Sequence, residues 1–276
     1  MADSPDLLTV FDRWRAAKPQ HVVHTWLRSD GTVKDEYTLQ ALYDAAGAVA
    51  SQLQGVDVAI LCYPPGLEFL VAFYGCLFAG CAAAPCYPPD PRNKEARTAR
   101  HFASIVRASG AAVILTSTAY LRGRTLLREA TLDIKWLATD SINSTPITPV
   151  RPPPALAFLQ YTSGSTSTPK GVMVGRSNLA HNLRVITRAL SSNEATVCVS
   201  WLPQYHDMGS ISASHVGAFT PCVVSRIEAV RTASRHRDAP RRSRGVRMVP
   251  GTCGSAAESH DCPARERGLG LCPISP

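Results

Sequence analysis

Phe158-Leu159-Gln160-Tyr161-Thr162-Ser163-Gly164-Ser165-Thr166-Ser167-Thr168-Pro169-Lys170-Gly171-Val172-Met173-Val174-Gly175 is the stretch that decides how the chain is read. An apolar run, Ala155 to Tyr161, leads into seven consecutive small or hydroxylated residues, Thr162 to Thr168. Pro169, Lys170 and Gly171 follow, and then a second apolar run, Val172 to Val174. Two β-like runs joined by a Gly/Ser/Thr loop that ends in lysine suit a polyanion. Small side chains let the backbone approach phosphate oxygens, hydroxyl and N–H groups donate to them, and one Lys supplies a mobile positive charge. A Walker loop does not fit. Lys170 follows Pro169 rather than Gly, no Ser or Thr follows it, and the next segment reads as a strand rather than a helix. On composition alone the competing reading is a Ser/Thr-rich surface turn.

Working outward, strand-like and helix-like patterns alternate on both sides of this loop, which predicts an α/β fold. Ser4-Pro5-Asp6 starts a helix, His21 to Leu27 and Thr32 to Tyr37 form a hairpin, and Thr38 caps a helix running to about Leu53. Val56 to Cys62, Cys81 to Pro85 and Ala112 to Thr116 are short apolar runs of the kind buried on both sheet faces. The uncharged stretch Phe69 to Cys86 is long enough to raise a membrane span, but Ala79-Gly80 reads as a helix stop. A buried helix, Leu67 to Ala79, feeding a buried strand is preferred. Asn93 to Ser109 is a basic-faced helix with Phe102, Ile105 and Val106 inward; Tyr120 to Glu129 is helical and Ile134 to Ala138 strand-like. Asp140 to Pro154 is a Pro-rich linker (residues 140–154) at a subdomain edge. Ser177 or Asn178 caps a helix to about Leu190, and Ala195 to Trp201 is a strand.

The net charge of +8 suggests a polyanion partner until it is located. Ten Arg and five acids lie after Gly217, which places +5 of that total in the last 59 residues. That segment has no Lys, Trp or Tyr and holds one Phe, Phe219. It is read as a disordered tail, residues 217–276, following a domain of residues 1–216. Its composition suits translation in another reading frame, or an unrelated terminal exon. A nucleic-acid-binding tail is the functional alternative, but it lacks aromatics to stack bases, and no nucleic-acid partner is expected. The nine Cys include no C-x-x-C pair, and no Cys/His spacing suits a metal. The N-terminus lacks a basic-then-apolar order, so a cytoplasmic setting is the default, with no transmembrane span.

Four segments together resemble one family. Tyr161-Thr162-Ser163-Gly164-Ser165-Thr166-Ser167-Thr168-Pro169-Lys170-Gly171 resembles the phosphate loop of the adenylate-forming superfamily. Tyr63-Pro64-Pro65-Gly66-Leu67-Glu68-Phe69, Ala84-Pro85-Cys86-Tyr87-Pro88-Pro89, Phe158-Leu159-Gln160-Tyr161-Thr162-Ser163-Gly164-Ser165-Thr166 and Ser200-Trp201-Leu202-Pro203-Gln204-Tyr205-His206-Asp207-Met208-Gly209 are similar to segments of fatty acyl-AMP ligases and the related long-chain acyl-CoA synthetases. The similarity runs from about Asp6 to Ser212. It implies a partial adenylate-forming N-terminal domain, with mixed, parallel-rich sheets flanked by helices.

The implied chemistry is attack of a fatty-acid carboxylate on ATP, giving acyl-AMP and pyrophosphate, then transfer to an acyl-carrier-protein or CoA thiol. The resemblance gives Thr162, Ser163, Gly164, Ser165, Thr166, Ser167, Thr168, Lys170 and Gly171 to the ATP phosphates. Lys170 and His206 are the catalytic candidates, and His206, Asp207, Met208 and Gly209 lie beside the substrate. Asp207 is read chiefly as a helix cap. Mg²⁺ would arrive with ATP, Thr166 being the only side chain considered for it. Three departures stand out. Ser167 replaces the usual Gly, Ser210 the usual Leu, and nothing matches the family's adenine-binding segment, T-G-D strand or small C-terminal domain with its catalytic Lys. The chain is therefore expected to be weakly active or inactive by itself. The alternative is a non-catalytic fragment that binds nucleotide or carrier protein.

Overall fold

The computed structural model describes residues 5–90, 96–123, 134–143, 145–150, 153–161, 169–205, 219–220 and 223–227. Along the chain these form α1 (Leu7–Ala17), β1 (Val22–Leu27), β2 (Val33–Thr38), α2 (Leu39–Ser51), β3 (Val58–Leu61), α3 (Glu68–Ala79) and β4 (Ala82–Pro85). Then come α4 (Ala96–Ser109), β5 (Val113–Thr116), α5 (Thr118–Gly123), β6 (Lys135–Ala138), β7 (Leu156–Tyr161), β8 (Gly171–Gly175), α6 (Arg176–Ala189), β9 (Val197–Ser200) and β10 (Val223–Ile227).

The strands make two sheets, one in the order β6-β5-β3-β4-β7-β8 and one in the order β2-β1-β10-β9. In the larger sheet β6 through β7 run parallel and only β8 is antiparallel. In the smaller, β1, β10 and β9 are parallel and β2 closes a hairpin on β1. The expected α/β architecture with parallel-rich sheets is the observed one.

Period-two alternation sorts the larger sheet into two faces. Ala59, Leu61, Ala83, Val113 and Leu115 face a core shared with α1, α2, α3 and α6. Ile60, Cys62, Ala84, Cys86 and Ile114 face a smaller core under Phe102, Ile105 and Val106 of α4 and Tyr120 of α5. Strands covered on both faces need apolar residues at every position, hence the short unbroken apolar runs. The uncharged stretch resolves in the same way. Ten of the twelve α3 residues, Phe69 to Phe78, are buried, and Gly80 ends the helix in the left-handed region at φ +75°. No helix among the described residues is long and apolar enough to cross a membrane.

Close backbone contact ties the Pro-rich linker down. Ile147 N–H donates to Gly47 O at 3.1 Å on α2, and Val150 N–H to Phe78 O at 2.8 Å on α3. A Cβ on Gly47 would come within 2.7 Å of the Ile147 carbonyl oxygen, so this approach requires glycine. Ile147 and Val150 are thereby strapped across the α2–α3 pair.

Several boundaries differ from the sequence reading. Asp6 caps α1, its carboxylate accepting from Leu8 N–H at 3.0 Å. Thr38 caps α2 as expected, accepting from Ala41 N–H at 3.1 Å. At α6 the cap is Gly175 rather than Ser177 or Asn178. Asn178 sits three residues inside the helix, and its Oδ1 accepts from Gly175 N–H at 3.0 Å. The helix at 118 covers six residues, and 124–133 lie outside the described residues.

The largest correction concerns the tail. Order does not stop at 216, because Val223–Ile227 forms β10, the strand that joins β1 to β9. Five residues are too short to show periodicity in an Arg-rich background. Inserted between two parallel neighbours, they gain ladder hydrogen bonds on both edges. Residues 228–276 lie outside the described residues. A chain cut after Val216 should lose the cooperative unfolding transition that a chain ending at Arg237 keeps, as followed by circular dichroism in urea.

Candidate functional site

Parallel sheets place ligands at the carboxyl ends of their strands, and the four motif segments all leave strands in that direction. Tyr63 to Phe69 follows β3, Tyr87 follows β4, Tyr161 ends β7, and Trp201 to Tyr205 follows β9. The phosphate-type loop is the connection of an antiparallel hairpin, with Tyr161 paired to Gly171. A strand therefore follows the loop and pairs with the strand before it, which excludes the strand–loop–helix arrangement of a Walker site. Lys170 is solvent-exposed immediately before β8. Gly171 has a local reason to be glycine, since a Cβ there would meet Tyr161 Cζ at 2.9 Å. Burial raises the Tyr161 phenol pKa, and the Cys86 thiol nearby adds to the effect.

The short segment before His206 joins these strand ends. Gln204, 2% exposed, accepts at Oε1 from Gly66 N–H at 3.0 Å. Gln160 Nε2 donates to the Tyr205 carbonyl at 3.4 Å. The Tyr205 ring meets Tyr87 edge-on, at 5.2 Å between centroids and 90° between planes. Arg226 of β10 completes the support, its Nη1 donating to Leu202 O at 2.8 Å. Burial pulls the Arg226 pKa down to about 10, with the Cys198 thiol opposing the shift, so the guanidinium stays charged at neutral pH. All four motifs thus meet within hydrogen-bond or ring contact around Gln204 and Tyr205.

Lys170 and Gly171 are the proposed site residues that lie among the described ones. Thr162, Ser163, Gly164, Ser165, Thr166, Ser167 and Thr168, and His206, Asp207, Met208 and Gly209, lie outside them. The ends of both undescribed segments are held together, since Gln160 and Tyr161 precede the first and Tyr205 the second. Residue-by-residue reading missed the contacts of Gln160, Gln204 and Arg226. The two glutamines stood inside quoted motifs without a role, and Arg226 stood in the segment read as tail. Among the described residues no group of His, Cys, Asp and Glu could hold a metal ion, and Cys62, Cys76, Cys81, Cys86 and Cys198 are free thiols.

Comparison with known proteins agrees with this arrangement. The family described as AMP-binding enzyme matches residues 11–238, so the match includes β10. The chain is 34% identical over 221 residues to the medium-chain-fatty-acid–[acyl-carrier-protein] ligase JamA of Moorena producens, covering 75% of this chain and 36% of that protein. It is 32% identical over 228 residues to the long-chain-fatty-acid–AMP ligase FadD32 of Mycolicibacterium smegmatis, covering 76% of this chain and 35% of the other. The crystal structure of the fatty acyl-adenylate ligase from L. pneumophila, in complex with acyl adenylate and pyrophosphate, superposes with a TM-score of 0.70 at 31% identity. That superposition covers 81% of this chain and 40% of the other.

The fold is that of an adenylate-forming type of domain. The chain belongs to the AMP-binding enzyme family. It spans little more than a third of the length of these curated relatives.

The Tyr87–Tyr205 contact should be measurable as an energetic coupling. A double-mutant cycle with Tyr87→Ala and Tyr205→Ala should return about 0.5–1.5 kcal/mol in urea unfolding, the range for an edge-on aromatic pair. A coupling indistinguishable from zero would mean that the two strand ends are not joined there.

Proposed function

We propose that this domain takes part in activating a fatty acid by ATP-dependent adenylation, releasing pyrophosphate, for transfer to an acyl-carrier-protein or CoA thiol. The convergence of the four motif segments on Gln204 and Tyr205 carries the reading, because it brings the ends of the phosphate-type loop and of the His206 segment to one place. ATP brings the electrophilic α-phosphorus, and Mg²⁺ bound to it offsets phosphate charge.

In this reading the chain's own residues hold anions. Thr162, Ser163, Ser165, Thr166, Ser167 and Thr168 donate hydroxyl or backbone hydrogen bonds to phosphate oxygens, and Gly164 and Gly171 leave room for close approach. Exposed Lys170 places its ammonium against the departing pyrophosphate. His206, with Asp207, Met208 and Gly209 after it, lies beside the α-phosphate and the acyl carboxylate. The residues present suit a polyanion, as they supply donors and one mobile cation, and any divalent ion would come with the nucleotide.

By itself the 276-residue chain is expected to bind ATP and to catalyse fatty-acid-dependent ATP–pyrophosphate exchange weakly or not at all. Lys170→Ala should weaken ATP binding roughly tenfold in calorimetric titration, the loss of ~1.5 kcal/mol for a charge-assisted contact. Strong exchange abolished by the same substitution would overturn the expectation of weak activity. Absence of ATP binding would overturn the adenylation reading itself.

A further inference from the structure

Gln204 is half used. Its Oε1 accepts from Gly66 N–H at 3.0 Å, whereas Nε2 has no hydrogen-bond partner among the described residues, although the side chain is only 2% exposed. A buried amide N–H without an acceptor is costly, and native structures rarely keep one without a use. The amide orientation is set by the Gly66 contact, because only an oxygen can accept from a backbone N–H. Nε2 is therefore a fixed donor at the junction of the motif segments.

We propose that Gln204 Nε2 donates to the carboxylate of the fatty acid. This rests on the adenylation reading above. The complement of a lone neutral donor is an acceptor group, and that reading leaves the carboxylate as the one anion not assigned to the loop ending at Lys170. In the chain Gln204 lies two residues before His206, the first residue of the segment that the same reading gives to the substrate.

Two neighbours restrict the ligand's position. Gln160 Oε1 is itself a buried acceptor without a partner among the described residues, and the Glu68 carboxylate comes close to Gly66. Both are acceptors, and an acceptor repels a carboxylate. No proton moves at Gln204, whose part is to orient the attacking oxygen.

The test compares decanoate with 1-decanol, binding to the full 276-residue chain at pH 8, for wild type, Gln204→Glu and Gln204→Met. Gln204→Glu keeps an acceptor for Gly66 N–H but replaces the free donor with an acceptor, so it should weaken decanoate at least tenfold while decanol binds as well or better. Gln204→Met, which adds no charge, should also lose the preference for decanoate; it decides the matter if the Glu variant does not fold. Equal weakening of both ligands, or a wild-type chain without a preference for decanoate, would overturn the assignment. ATP titration of the same samples separates the two readings. A wild-type chain that binds ATP but shows no preference for decanoate overturns the Gln204 role alone, and one that binds neither overturns both.

Discussion

A helix with no polar face has to be covered on every side, and α3 imposes that demand on the whole domain. Its residues from Phe69 to Phe78 are all buried, so α2 packs along one flank and the larger sheet along another. Gly75 sets how closely α2 approaches, since a Cβ there would stand 2.7 Å from Val49. At this spacing Ile147 and Val150 can bond the carbonyls of Gly47 and Phe78. Burying such a helix removes a large apolar area from water, at about 25 cal/mol per Å². The same cluster takes in Val23, Trp26 and Val224 of the smaller sheet, so both sheets share one core.

That constraint also sets where the chemistry can lie. The turn before α3 carries Gly66, which must stay at the carboxyl end of β3 because the helix behind it cannot move without exposing its apolar surface. Gly66 then fixes Gln204, and Gln204 fixes the approach of the segment leading to His206. The contacts along this path are backbone hydrogen bonds, glutamine amides and ring edges rather than ion pairs. Each is modest, and together they hold loops that the strands alone would leave free. Arg226 is the exception, a buried cation whose carbonyl contact to Leu202 braces the same segment from the smaller sheet.

Local chemistry made much of this legible. Period-two and period-3.6 patterns located the helices and strands, because each face must match what it packs against. Thr38 and Gly80 announced a helix start and stop through capping chemistry that acts within a few residues. The motif segments resemble those of an acyl-adenylating family, and the family match covers residues 11–238. Where the reading slipped, the deciding contact was a side chain folding back locally in one case and partners distant in sequence in the other. Gly175 rather than Ser177 caps α6 because Asn178 folds back on it. The strand at Val223–Ile227 exists because β1 and β9, more than twenty residues before it, supply its edges.

The sequence by itself determined the α/β class, the strand–loop–strand setting of Lys170, the burial of the uncharged stretch and the family resemblance. These depend on residue type and near-neighbour spacing. Only the tertiary structure decided that the four motifs meet at Gln204 and Tyr205, that the linker is strapped to α2 and α3, and that Arg226 belongs to the folded domain. Hydrogen bonds and ring contacts between residues 24 to 138 positions apart leave no periodic trace in the chain. They exist only once the sheets have brought the strand ends together.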